Sequence, residues 1–200
     1  TTLFRSPDPL WNIRNGRRNR FGAYTEWEAR RGAAWTLLLG VRTDIVRMNT
    51  DTVTGYNMSA TTTGSAAYLA DAREFNAAER RRLDANFDLT AMARYDSSAV
   101  SAWEFGYSRK SRAPNLYERY LWVKRSAMSA SMNGWFGDAN AYTGNLNLRS
   151  EIGHTVSATK SWHDKSLTKW EFKLTPWVTQ VSNYIVVDRC PVIADSSNGC

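Results

Sequence analysis

The sequence predicts an all-β protein, an antiparallel up-and-down meander of the kind that closes into a transmembrane β-barrel. Three observations carry this expectation. Six stretches alternate apolar and polar residues with period two, which puts one set of side chains on each face of a strand. The connections between them run short, long, short, long, short, as the periplasmic turns and extracellular loops of outer-membrane barrels do. No apolar run approaches the ~20 residues that a membrane-spanning helix needs, the best being Leu37-Leu38-Leu39-Gly40-Val41.

The first strand, residues 20 to 30, sets Phe21, Ala23, Thr25, Trp27 and Ala29 against Gly22, Tyr24, Glu26, Glu28 and Arg30. The second, residues 35 to 46, sets Leu37, Leu39, Val41 and Ile45 against Arg42 and Asp44. The third, residues 84 to 95, divides most cleanly, with Phe87, Leu89 and Tyr95 opposite Asp84, Asp88 and Arg94. Residues 100 to 109 oppose Trp103, Phe105 and Tyr107 to Glu104 and Ser108. In residues 152 to 162, Val156, Ala158 and Trp162 lie opposite Thr155, Ser157 and Thr159, although His154 and Lys160 share the apolar face. The sixth strand, expected over 170 to 187, opens with Trp170, Phe172 and Leu174 opposite Glu171 and Lys173, until Pro176 disturbs its register.

In a barrel the face bearing Phe87, Leu89, Trp103, Phe105, Val156 and Phe172 points to lipid, and Asp84, Asp88, Arg42 and Glu104 point to the lumen. Glu26, Glu28, Asp84 and Asp88 then read as solvated lining that meets Arg42 and Arg94 across strands. The short connections are residues 31–34, 96–100 and 163–169, and the long ones are 47–83 and 109–151. Such long loops are uncommon in compact domains. Residues 49–65 are rich in Thr, Ser, Asn and Gly, and 126–147 mix small polar residues with Trp135, Phe136 and Tyr142. A short helix is expected within the first long loop, over residues 71–82.

The 200 residues are 42% hydrophobic and 22% charged, the balance of an ordered chain. Nine Trp, nine Tyr and seven Phe suit membrane interfaces and ligand-gripping loops. A net charge of +7 admits anionic partners. The basic residues fall in short clusters, Arg17, Arg18 and Arg20 or Arg80, Arg81 and Arg82, without a nucleic-acid-binding motif, so they are expected to be solvated loop charges. The opening residues Thr1-Thr2-Leu3-Phe4-Arg5 form no signal peptide. Cys190 and Cys200 flank Pro191 and Ser196-Ser197-Asn198-Gly199, and a disulfide within one loop is expected, in an oxidising compartment, with two free thiols as the alternative.

Three motifs go beyond composition. Gly106-Tyr107-Ser108-Arg109-Lys110-Ser111-Arg112-Ala113-Pro114-Asn115-Leu116-Tyr117-Glu118-Arg119-Tyr120 resembles a strand-to-loop segment of TonB-dependent outer-membrane receptors, in which an Arg-Ala-Pro-x-Leu-x-Glu run occurs. Gly144-Asn145-Leu146-Asn147-Leu148-Arg149-Ser150-Glu151 is similar to that family's Gly-Asn-x-x-Leu-x-Pro-Glu approach to the next strand, with Ser150 where proline is usual. Trp35 with Gly40-Val41-Arg42-Thr43-Asp44 resembles its Gly-hydrophobic-Arg-x-Asp barrel strands. The matches span most of residues 10–188.

The resemblance implies a large barrel of ~22 strands, with a plug domain in its lumen and energy supplied through TonB. Neither plug nor TonB-contacting segment is recognisable in residues 1–200, and a terminal aromatic residue is absent, so the chain is expected to be an internal barrel segment. The implied function is receptor-mediated uptake of a scarce metal complex, such as an iron-siderophore, cobalamin-like or copper ligand, across the bacterial outer membrane. The partners are then outer-membrane lipid, the TonB complex through a region outside this chain, and an extracellular metal chelate. No resident cofactor, nucleic acid or enzymatic activity is expected.

Candidate ligand-binding residues are Met128, Met132, Trp135, Phe136 and Tyr142 in the second long loop. The two thioethers stand four apart, a spacing that on one helical turn presents both to a soft metal such as Cu(I). Simple packing is the preferred reading for them. Arg112, Pro114 and Glu118 are expected to form the structural base of that loop, proline directing the chain out of the sheet and Arg112 pairing with Glu118. His154 and His163-Asp164 invite an acid-base reading, but no nucleophile elbow accompanies them. Two other classes stand beside the receptor: a soluble β-rich carbohydrate-binding module, which would bury its apolar strand face under a second sheet, and a barrel enzyme such as a lipase or protease.

Overall fold

In the computed structural model, residues 11–54, 63–124, 142–166 and 168–188 are described, with backbone only for 63–68. The elements are β1 (Arg17–Arg31), β2 (Trp35–Asn49), α1 (Thr63–Ala77), β3 (Arg82–Ser98), β4 (Ser101–Arg112), α2 (Leu116–Tyr120), β5 (Glu151–His163), β6 (Glu171–Leu174) and β7 (Trp177–Ser182). Each strand pairs antiparallel with the next from β1 to β5, and both β6 and β7 pair with β5. This is the all-β meander that the alternation predicts. β1, β3 and β5 extend past the expected ranges at both ends, and β2 and β4 at their C-terminal ends. At 12 to 17 residues they are longer than the ~9–11 that cross a bilayer, so they carry the sheet beyond it.

The sixth strand differs from expectation in two ways. Leu174 pairs with Lys160 and Trp177 with Ser157, three residues apart on both strands, so no residue is inserted at Pro176. The proline has no N–H to give the ladder, yet its carbonyl still accepts from the Ala158 N–H at 3.1 Å. The result is one strand with a gap, counted as β6 and β7. It ends at Ser182 rather than 187, because Asn183 adopts a left-handed φ of 54° and turns the chain out of the sheet.

Burial separates the two faces. On β2, Asp44, Val46 and Met48 are buried while Thr43, Ile45 and Arg47 are exposed. Phe105, Val156 and Phe172 remain 49%, 55% and 57% exposed on the opposite face. Among the described residues there is one sheet and nothing covers that face, so the second layer of a sandwich is missing. The two polar side chains that β5 places in its apolar face, Lys160 and His154, have local partners. The Lys160 ammonium lies 4.8 Å from the centre of the Trp103 ring and bonds the Ser97 hydroxyl, and His154 Nδ1 shares a 2.9 Å hydrogen bond with the Tyr107 hydroxyl.

The buried core lies at the long-loop end, on the luminal face. Val46, Met48, Val53, Ala72, Phe75, Ala113, Tyr120, Trp122 and Val123 pack together, with Ile13, Leu116 and Leu146 at the margin. The described parts of the long loops therefore fold back over the polar face and leave the apolar face bare.

Candidate functional site: a vestibule at the long-loop end

The vestibule is built from the chain segments that leave β2 and β4. After Asn49 the chain is tied to residue 14: Asp51 N and the Thr50 hydroxyl both donate to the Arg14 carbonyl, at 3.0 and 2.7 Å. The Asn76 side chain then makes two 2.8 Å bonds to the backbone of Val53, fastening α1 to this segment. The expected helix over 71–82 is α1, displaced toward the N-terminus and ended at Ala77. Arg80 explains the stop. Its guanidinium donates to the carbonyls of Phe75, Asn76 and Ala78, so it closes the helix instead of continuing it. Arg80 is thus a structural clamp, not the solvated loop charge that its cluster implies.

Helix α2 was not expected, although Asn115 and Glu118 carry the signal. The Asn115 side chain accepts from Glu118 N at 2.9 Å and the Glu118 carboxylate accepts from Asn115 N at 2.7 Å, a reciprocal capping box. The turn is short and lies after a proline, so it shows no apolar periodicity. Pro114 is fully buried where the chain leaves β4.

Two motifs far apart in sequence meet here. Arg112 Nη1 donates to both oxygens of Glu118 at 2.9 and 3.1 Å, and Arg112 Nε donates to Glu151 at 2.5 Å. One guanidinium thus ties the end of β4 to α2 and to the start of β5. Gly144 completes the clasp. A Cβ on it would lie 2.7 Å from the Arg119 carbonyl carbon and 2.9 Å from Leu121 N, backbone atoms that cannot rotate away. The close approach lets Gly144 N reach the Leu121 carbonyl at 2.7 Å and Asn145 N the Glu118 carbonyl at 2.9 Å. Tyr120 is fully buried with its hydroxyl on the Arg80 carbonyl, and burial pushes that hydroxyl's pKa up.

A cleft of about 850 Å³ opens among α1, α2, residues 142–148 and 185–188. Phe75, Trp122, Tyr117 and Tyr142 supply aromatic surface, and Glu74, Lys124 and Asp188 supply charge. Lys124 and Tyr142, both on the cleft wall, bracket residues 125–141 in the sequence. Met128, Met132, Trp135 and Phe136 belong to that segment and lie outside the described residues, as do Cys190 and Cys200. Of the five ligand candidates only Tyr142 is placed, on the cleft.

The luminal face continues from the cleft along β1 to β3. Asp44 accepts from Arg20 at 2.9 and 2.6 Å and from Arg42 at 2.7 and 3.1 Å. Gly22 faces it across the strand pair; a Cβ there would sit 2.1 Å from Asp44 Oδ1, so the missing side chain makes room for the carboxylate. The expected partners of the arginines were carboxylates on neighbouring strands. Instead Arg42 takes Asp44 and Arg94 takes Asp96, each two residues along the same strand. Residues i and i+2 share a face, and an arginine is long enough to span them. Asp84 is claimed by Arg119.

An antiparallel wall, bare and apolar on one side, polar and capped by the described parts of the long loops on the other, is the arrangement of an outer-membrane-type barrel. The family model described as TonB dependent receptor-like, beta-barrel, matches residues 1–198, and the chain belongs to that family. It is a family of bacterial outer-membrane receptors and transporters, not of enzymes. No curated protein and no solved structure matches the chain.

Proposed function

We propose that the chain is an internal segment of a longer receptor, residues 1–200 supplying barrel wall and part of the ligand vestibule. On this reading the receptor imports a scarce metal complex across the bacterial outer membrane, an iron-siderophore, cobalamin-like or copper chelate, with energy delivered through TonB. The observation that supports it is the cleft, whose roughly 850 Å³ falls in the range that holds an organic ligand and which lies where the long loops meet the luminal face. Aromatic side chains there would grip the organic shell of a chelate and charged ones would orient it. On this reading Arg112, Pro114 and Glu118 serve first as the loop base, and Arg112 and Glu118 also line the cleft. Met128, Met132, Trp135 and Phe136 fall in residues 125–141, outside the described residues; on this reading they are further ligand candidates, the two thioethers by packing rather than by binding a metal.

The test is uptake by cells that express the whole receptor, offered radiolabelled ferric siderophore, cyanocobalamin or copper chelate in turn. One of the three should accumulate, the accumulation should stop when the proton-motive force is dissipated, and replacing residues 125–141 by a Gly-Ser segment of equal length should abolish it. Accumulation of an oligosaccharide and of none of the metal complexes would overturn the reading.

A further inference from the structure

The chain carries a net charge of +7, yet the cleft at the long-loop end does not share in it. Among the described residues its wall holds three cations, Arg112, Arg119 and Lys124, and each is paired with a carboxylate. Arg112 holds both Glu118 and Glu151, Arg119 is buried against Asp84, and the Lys124 ammonium lies 2.5 Å from Glu74. Asp71 and Asp188 add two further carboxylates to the same wall, and Asp71 is buried there, accepting from the Lys124 backbone N–H at 3.0 Å.

Counted with their partners, the carboxylates at the cleft outnumber the cations. The rest of the long-loop sequence does not alter the balance. Residues 55–68 hold no charge, and 125–141 and 189–200 each hold one cation and one carboxylate, Arg125 with Asp138 and Arg189 with Asp195. Between its charges the wall is aromatic: Phe75 and Trp122 lie with ring centres 6.4 Å apart, and Tyr117 is half exposed.

We propose that the cleft takes a metal chelate that is uncharged or cationic and rejects an anionic one, a narrowing that rests on the reading of this cleft as the ligand site. An anion that enters gives up its hydration, meets cations already held by carboxylates, and faces the surplus negative charge. Both the lost hydration and the like charge oppose binding. An uncharged chelate needs only the apolar and hydrogen-bonding surface. A cationic one gains in addition from the aromatic ring faces and the carboxylates.

The experiment uses the whole receptor in detergent micelles, with binding measured by equilibrium dialysis. The probes are an uncharged ferric trihydroxamate, a ferric trihydroxamate that bears a free ammonium group, cyanocobalamin, and a trianionic ferric tricatecholate. At least one of the first three should bind about tenfold more tightly than the tricatecholate. Glu74→Gln removes the partner of Lys124 at a side chain that is 65% exposed, so the barrel should keep the heat-modifiable gel mobility of its folded form. The variant should raise the affinity for the tricatecholate, relative to the best-bound of the other three, by about fivefold. That gain should shrink as sodium chloride rises, because exposed charges are screened. A tricatecholate that binds the unaltered receptor as tightly as any other probe, or a ratio that Glu74→Gln leaves unchanged, would overturn this proposal alone, since a metal complex would remain the ligand. Retention of none of the four would overturn both it and the reading of the cleft on which it rests.

Discussion

Arg119 on α2 grips Asp84 on β3 from 35 residues away, its two terminal nitrogens donating to the two carboxylate oxygens at 2.6 and 2.7 Å. The side chains are 1% and 9% exposed, so this pair pins the loop cap to the sheet out of solvent. Removing one partner of a buried pair strands the other charge, at a cost of about 3–5 kcal/mol. Asp84→Ala should therefore loosen the cap locally, read as faster amide exchange over residues 117–123 and 143–148, with β1 to β3 unchanged. Adding Arg119→Met should restore most of the protection, since an apolar pair often replaces a buried ion pair without loss. A double variant no better protected than Asp84→Ala would show that the pair is not the pin.

Gly144→Ala tests the clasp from the other side. The added methyl meets the Arg119 and Leu121 backbone, and overpacking of this kind costs about 1–3 kcal/mol. The expected result is loss of the 144-to-121 hydrogen bond, seen as exchange of the Gly144 amide, together with weaker ligand retention by the whole receptor. Ala at Gly153, where a Cβ would meet nothing closer than 3.9 Å, is the control and should change neither.

Separation along the chain decides how much of this was legible in the sequence. Alternation is local, and it located all six strand positions and the exposed face of Phe105 and Val156. The capping box of Asn115 and Glu118 is local too and readable, but a five-residue helix is too short to show the apolar periodicity that marks longer ones. Arg119 with Asp84 was not readable, because nothing in either neighbourhood marks a partner 35 residues away. The luminal arginines were misassigned for a related reason. Period two says which face Arg42 shares, and both Asp44 on its own strand and Asp88 across from it satisfy that rule. Side-chain reach and the space left by Gly22 decide between them.

The outward assignment of the apolar face predicts a depth-dependent penalty. Val156 lies at the middle of β5 and points away from the lumen, so Val156→Arg should destabilise the folded receptor in bilayers by about 2–4 kcal/mol. Ser157→Arg, one residue on and facing inward, should cost much less. Urea titration of the whole receptor in lipid vesicles measures both. Equal penalties at 156 and 157 would show that the faces have been assigned wrongly.

The turn after β5 makes a pH prediction. Asp164 accepts from the Ser166 hydroxyl, from Ser166 N and Lys169 N at 3.0 Å each, and from Trp170 N at 3.3 Å. The Ser166 hydroxyl is the largest cause that holds its carboxyl well below the usual aspartate range; desolvation opposes it, and the backbone N–H groups of Lys169, Trp170 and Ser166 add smaller lowering effects. A folded-state pKa below the ordinary value of about 3.9 means that the ionised form stabilises the turn. That contribution is fully present above the ordinary value and is lost as pH falls through the depressed one. Amide exchange at Ser166, Lys169 and Trp170, corrected for intrinsic pH dependence, should therefore be protected and flat from pH 8 to pH 5. Protection should fall only in strong acid. Asp164→Asn keeps an acceptor oxygen but removes the charge and the second oxygen, so its protection should be lower throughout and insensitive to acid. A wild-type turn that opens between pH 5 and pH 7 would mean that another group controls it.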